Sequence, residues 1–135
     1  MQVKIIDFGF SNLPCRAHAN DAGADVYATK NISLYSGQTY AMPLGFGLEL
    51  PDGYAGFIFP RSGLSKKGIV CELPPIDSGY RGEIHAIISN VGRDSYDIKE
   101  GDRIGQLVIT PVILATFSTE NIKQRGDGAF ASTGK

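Results

Sequence analysis

Short apolar runs broken at close intervals by glycine and proline constrain this chain more than any other feature. Glycine occurs 17 times and proline 7 times in 135 residues, spread along the whole length. No window carries the apolar spacing of a long amphipathic helix. Short strands joined by turns are the alternative, so the pattern predicts an all-β sandwich or barrel. Residues 2–7, 24–28 and 54–59 read as strands, and 38–50 as one or two more around Pro43 and Gly45. Residues 51–53, Pro-Asp-Gly, form a turn: proline presets φ and glycine accepts φ > 0. In 83–89, Ile84, Ala86 and Ile88 share one face, the period of a strand buried more deeply on one side. A last strand is expected over 103–109, and only 64–67 looks like a helical turn.

The length suits one domain with one core. The formal net charge is −1, and Lys and Arg are scattered. Duplex binding usually needs a basic face, so a nucleic acid polymer is not the expected partner. A nucleotide stays open, because its phosphates need only a few local donors. Cys15 and Cys71 form no CxxC pair, and the start of the chain is too polar for a signal peptide. Reduced thiols in a cytoplasmic protein are the expectation. The longest apolar stretch, 107–117, is interrupted by Thr110 and Pro111 and is too short to span a bilayer. From 118 to 135 the chain is polar or small, with Phe130 its one large aromatic. Such a segment buries too little apolar surface to order itself. The expected division is therefore a barrel over 1–117 and an arm over 118–135.

Three segments carry chemistry. His18 and His85 are the only histidines and neither stands in metal-ligand spacing with a cysteine, so a caged zinc is not expected. His85, on a strand face, reads as a packing or positioning residue. In PRSGLSKKG, 60–68, Arg61 offers a fork of donors, Ser62 a hydroxyl, and Gly63 a backbone that an anion can approach. The plainer reading is a strand-ending turn with an exposed arginine. In PPIDSGYRGE, 74–83, Asp77 has the default role of bonding its own turn. With Tyr80 beside it on one hairpin, it could equally polarise a water as general base, worth ~10²–10⁴ in rate. RGDGAFASTGK, 125–135, lacks the glycine spacing and the residue after lysine that a Walker loop needs. It keeps Arg125, Ser132, Thr133 and glycine amides able to wrap a phosphate, and Phe130 able to stack on a base.

Together these segments resemble the homotrimeric dUTPase family in five blocks, in the family's order. They are DAGADVYA (21–28), PRSGLSKKG (60–68), IDSGYRGEI (76–84), GDRIGQLVI (101–109) and RGDGAFASTG (125–134). The resemblance implies a jelly-roll-like β-barrel with one short helix and a C-terminal arm. It also implies Mg²⁺-dependent hydrolysis of dUTP to dUMP and pyrophosphate, which limits uracil in DNA and supplies dUMP. By position, Asp25 matches the aspartate that holds substrate-bound Mg²⁺ through water. Arg61, Ser62 and Gly63 match the grip on the α- and β-phosphates, and Gln106 a polar residue on the phosphate side. Asp77 matches the carboxylate that deprotonates the attacking water, and Tyr80 the ring that refuses a 2′-hydroxyl. The 76–85 hairpin, with Ile76, Ile84 and His85, matches the part that reads uracil. Arg125, Ser132 and Thr133 match a γ-phosphate clamp, and Phe130, with Ala131 beside it, a lid on the base. The family's trimer shares each site among three chains, the arm crossing to a neighbour. A regulatory protein partner is compatible with this but has no signal of its own.

Glu72 and Pro74 stand where many members carry a small or amide residue, and Pro75 stiffens the approach to Asp77. Ala131 stands where glycine is usual. The nearest rival is a dCTP deaminase, which shares the fold but not the aromatic tail. A nucleotide-gated binding module and a purely structural barrel are the alternatives from other classes.

Overall fold

Antiparallel pairing organises the described residues. The computed structural model describes residues 1–120 of the 135. In chain order the strands are β1 (Lys4–Asp7), β2 (Ala24–Tyr27), β3 (Ile32–Leu34), β4 (Thr39–Pro43), β5 (Phe46–Glu49) and β6 (Tyr54–Phe59). One helical turn, α1 (Ser62–Ser65), separates β6 from β7 (Ile69–Cys71). Then come β8 (His85–Asn90), β9 (Tyr96–Ile98) and β10 (Arg103–Pro111). They form four small sheets, β1-β5, β2-β10-β6, β3-β9 and β4-β8-β7. Most neighbours are distant in sequence, the crossovers of a jelly-roll-like β fold.

The alternation read from 83–89 is kept. Ile84, Ala86 and Ile88 are 3%, 0% and 0% exposed and join Met42, Phe46 and Leu48 in the core. Each of these side chains larger than alanine contributes about 1.5–3 kcal/mol through burial. The 38–50 segment splits into β4 and β5, because Gly45 takes a φ of 82° and turns the chain between them. The helical turn begins two residues before the expected 64–67: Leu64 is its buried anchor. Three strands went unforeseen, β3, β7 and β9. Each has three residues, too few to display a period of two.

Asn90, the last residue of β8, ties the β8–β9 loop to the end of β3 beneath the surface. It is 1% exposed, and its amide nitrogen donates to the Leu34 and Asp94 carbonyls at 2.9 and 2.8 Å while its oxygen accepts from Gly92 N at 2.9 Å. Both cysteines are free thiols, Cys15 exposed and Cys71 half-buried. Among the described residues no helix is long and apolar enough to cross a membrane.

Candidate functional site

Strand pairing brings Asp25 to one place from three directions. Along β2 it faces Gln106 of β10, which in turn faces Phe59 of β6. On its open side, its backbone exchanges hydrogen bonds of 3.2 and 2.7 Å with Cys15. The Asp25 side chain is 19% exposed and lies between two guanidinium groups. Arg61 Nε is 3.8 Å from one carboxylate oxygen and Arg103 is 3.5 Å from the other. At such exposure each ion pair adds ~0–1 kcal/mol. Their main effect is to hold two cations beside one anion.

Arg61 sits at the junction of β6 and α1. The turn closes when the Leu64 and Ser65 amides donate to the Arg61 carbonyl at 3.1 and 2.9 Å. Just before it, the Pro60 carbonyl accepts from Gln106 Nε2 at 3.0 Å. Arg61, Ser62, Gly63, Asp25 and Gln106 thereby line one cleft of about 380 Å³, with His18 and Asp21 at its rim. His18 Nδ1 is 3.2 Å from the Asp21 carboxylate, well exposed to solvent.

The other candidates line a different cavity, of about 240 Å³, which shares no residue with the first. Ile76, Asp77, Tyr80, Ile84 and His85 surround it, with Pro74 and Pro75 in the wall. Ile76 is fixed to β6 by paired backbone bonds with Gly56 of 3.0 and 2.7 Å. Beyond it the ties are mostly local: Tyr80 N donates to Asp77 O at 3.1 Å, Tyr80 Oη to Glu83 O at 2.8 Å, and the Arg81 guanidinium to the Ser78 carbonyl. Ser78 Oγ reaches farther, to Asp52 at 3.1 Å. Asp77 is exposed, and no ion pair among the described residues involves it. Ile84 is buried with its amide and carbonyl bonded to Phe46 and Leu44, so it offers the cavity an apolar wall. His85 is exposed, its ring Nδ1 3.2 Å from Glu83 O. Glu72 stands outside the cavity, its carboxylate 3.5 Å from Ser89 Oγ.

Arg125, Phe130, Ala131, Ser132 and Thr133 lie outside the described residues. Arg103 was not foreseen as part of the cleft. Strict alternation would put it on the face opposite Gln106, three residues away. A register shift between Arg103 and Gly105 brings both to the same side. Gly105 is the one sequence sign of that irregularity.

The donors bear on metal chemistry. No group of three or more His, Cys, Asp or Glu side chains that could hold an ion occurs among the described residues. Asp25, flanked by two guanidinium groups, suits a hard ion carried in by its own anionic ligand, not a protein cage.

Comparison with known proteins finds likeness along most of the chain. A dUTPase family model matches residues 11–134. The deoxyuridine 5′-triphosphate nucleotidohydrolase of Leifsonia xyli is 43% identical over 129 residues, covering 90% of this chain and 85% of that protein. The enzyme of the same name from Crocosphaera subtropica is 40% identical, covering 99% of each. Among solved structures, a Staphylococcus bacteriophage 80alpha dUTPase mutant with dUpNHpp superposes with a TM-score of 0.82 at 26% identity, covering 99% of both chains. A mutant dUTPase of S. aureus phage phi11, which coordinates a structural Mg(II) ion, matches with a TM-score of 0.83 at 24% identity, covering 90% of this chain and 98% of that one.

Proposed function

The chain belongs to the dUTPase family, and from that premise we propose that it hydrolyses dUTP to dUMP and pyrophosphate with Mg²⁺ as cofactor. One observation carries the reading: Asp25, Arg61, Ser62, Gly63 and Gln106, drawn from three segments, meet around a single cleft. In this reading Arg61, the Ser62 hydroxyl and the Gly63 amide hold the α- and β-phosphates. Phosphate oxygens compete with Asp25 for the guanidinium groups it now faces. Asp25 would hold Mg²⁺ through water on the triphosphate, where the ion offsets the charge of the leaving pyrophosphate. Asp77 orients a water and takes its proton as the water oxygen bonds to the α-phosphorus. The bond from that phosphorus to the bridging oxygen breaks, and pyrophosphate leaves. Positioning and electrostatics supply most of the acceleration. Tyr80 packs under the deoxyribose, and Ile76, Ile84 and His85 frame uracil. Arg125, Ser132 and Thr133 clamp the γ-phosphate, with Phe130 and Ala131 closing over the base from an arm over 118–135.

The two cavities are separate on one chain, so a complete site takes its halves from different copies, as in a homotrimer. Exposed apolar side chains following β10 support an assembly that covers them. Ile113, Leu114 and Phe117 are 91%, 72% and 94% exposed, a costly arrangement for an isolated chain in water. The free thiols are in keeping with the cytoplasm.

The test is pyrophosphate release from dUTP, dCTP, dTTP and UTP, with and without Mg²⁺. Release from dUTP alone, dependent on Mg²⁺, is the expected result. Ammonia formed from dCTP would point to a deaminase and sink the proposal.

A further inference from the structure

Gly23 is a buried glycine whose backbone does not need to be one: its φ lies outside the left-handed region that excludes other residues. What it lacks is room. A Cβ at this position would stand 2.4 Å from Gln106 Oε1, 3.0 Å from its Cδ and 2.8 Å from its Cβ. The first two contacts could be relieved by rotating the side chain. The third could not, because a Cβ moves only with the strand that carries it. The bare Cα therefore lets the 21–25 segment lie flat against β10, with the Gln106 side chain passing beneath it.

That passage has a direction. Gln106 donates through Nε2 to the Pro60 carbonyl at 3.0 Å. A carbonyl can only accept, so the amide is oriented with nitrogen towards Pro60 and Oε1 against Gly23. Pro60 immediately precedes Arg61, Ser62 and Gly63. On the other side, Gly23 lies two residues before Asp25, which pairs with Gln106 across the strands. One side chain thus links the phosphate-gripping turn to the carboxylate segment, and a missing methyl keeps it there.

We propose that Gly23 is a positioning residue: its absent side chain fixes Gln106, and through Gln106 the spacing between Asp25 and the Arg61-Ser62-Gly63 turn. The inference rests on the reading of this cleft as the triphosphate site. Its signature is coupling, since Gly23 matters only while Gln106 is present.

The experiment is a double-mutant cycle of Gly23→Ala and Gln106→Gly. It is read by kcat and KM for dUTP, and by calorimetric affinity for deoxyuridine, which has no phosphate, and for the imido analogue of dUTP. Gly23→Ala alone should lower kcat/KM at least about thirtyfold and analogue affinity at least about tenfold, while deoxyuridine affinity moves less than about threefold. In the Gln106→Gly background the same change should cost less than about twofold. Equal losses in both backgrounds, or parallel losses for deoxyuridine and the analogue, mean general loosening and overturn the inference. Should Gly23→Ala fail to fold, the double variant decides: recovery of soluble, assembled protein supports the link, and failure overturns it. Wild-type turnover with an unaffected Gly23→Ala enzyme refutes the inference alone. Absence of wild-type turnover removes the proposed function and this inference with it.

Discussion

The Asp25 cleft and the Asp77 hairpin carry comparable side chains but are held in opposite ways. The Asp25–Gln106 wall of the cleft is held by pairing between distant segments: Asp25 with Cys15 and with Gln106, Gln106 with Phe59 and with Pro60. The hairpin is fixed to the barrel at Ile76, and most bonds of its tip join residues three apart. Chemistry built into long-range pairing shares the stability of the fold, whereas chemistry on a locally bonded loop can change without it. The same carboxylate therefore serves as a fixed post in one place and as a presented group in the other.

The largest expected effect tests the presented half. Asp77→Asn should lower dUTP turnover by ~10² or more with KM within about tenfold. The melting temperature should stay within about 2 °C, since an exposed loop residue usually changes stability little. Loss of stability in step with activity would erase the contrast. Gln106→Ala tests the fixed half. It leaves the Pro60 carbonyl without its donor, costing about 1 kcal/mol, and should lower kcat/KM about tenfold. Unchanged thermal unfolding would show that the cleft is no more anchored than the hairpin.

The smallest effect is read on the two thiols that flank β2 and β10. Burial, with the Glu72 carboxylate beside it, pushes the Cys71 thiol up from 9.0 to about 11. A raised thiol stays neutral at pH 8, so a maleimide should modify exposed Cys15 at least about tenfold faster than Cys71. Cys71 should gain reactivity as pH climbs from 9 towards 11, and any stability from its neutral form fades over that range. Mass-spectrometric labelling rates decide; equal rates at pH 8 would mean that the packing around Cys71 is open to solvent.

Most of the barrel was legible because alternation survives wherever a strand is long enough to show it, as in β8. It failed at β3, β7 and β9, where the pairing is visible only once the partner strand is in place. That Asp25, the Arg-Ser-Gly turn and Gln106 line one cleft was approached through residue type for the turn and through the family resemblance for the aspartate and the glutamine. Arg103 was not, because its orientation depends on an irregularity in the pairing of β10 with β2. The division into two cavities is likewise invisible to periodicity, which reports faces and not distances.

Two cavities without a common residue have a genetic consequence. On the reading that both halves serve one substrate molecule, chains damaged in different halves can rescue each other by complementation when they are made together. Chains damaged in the same half cannot, however many are combined.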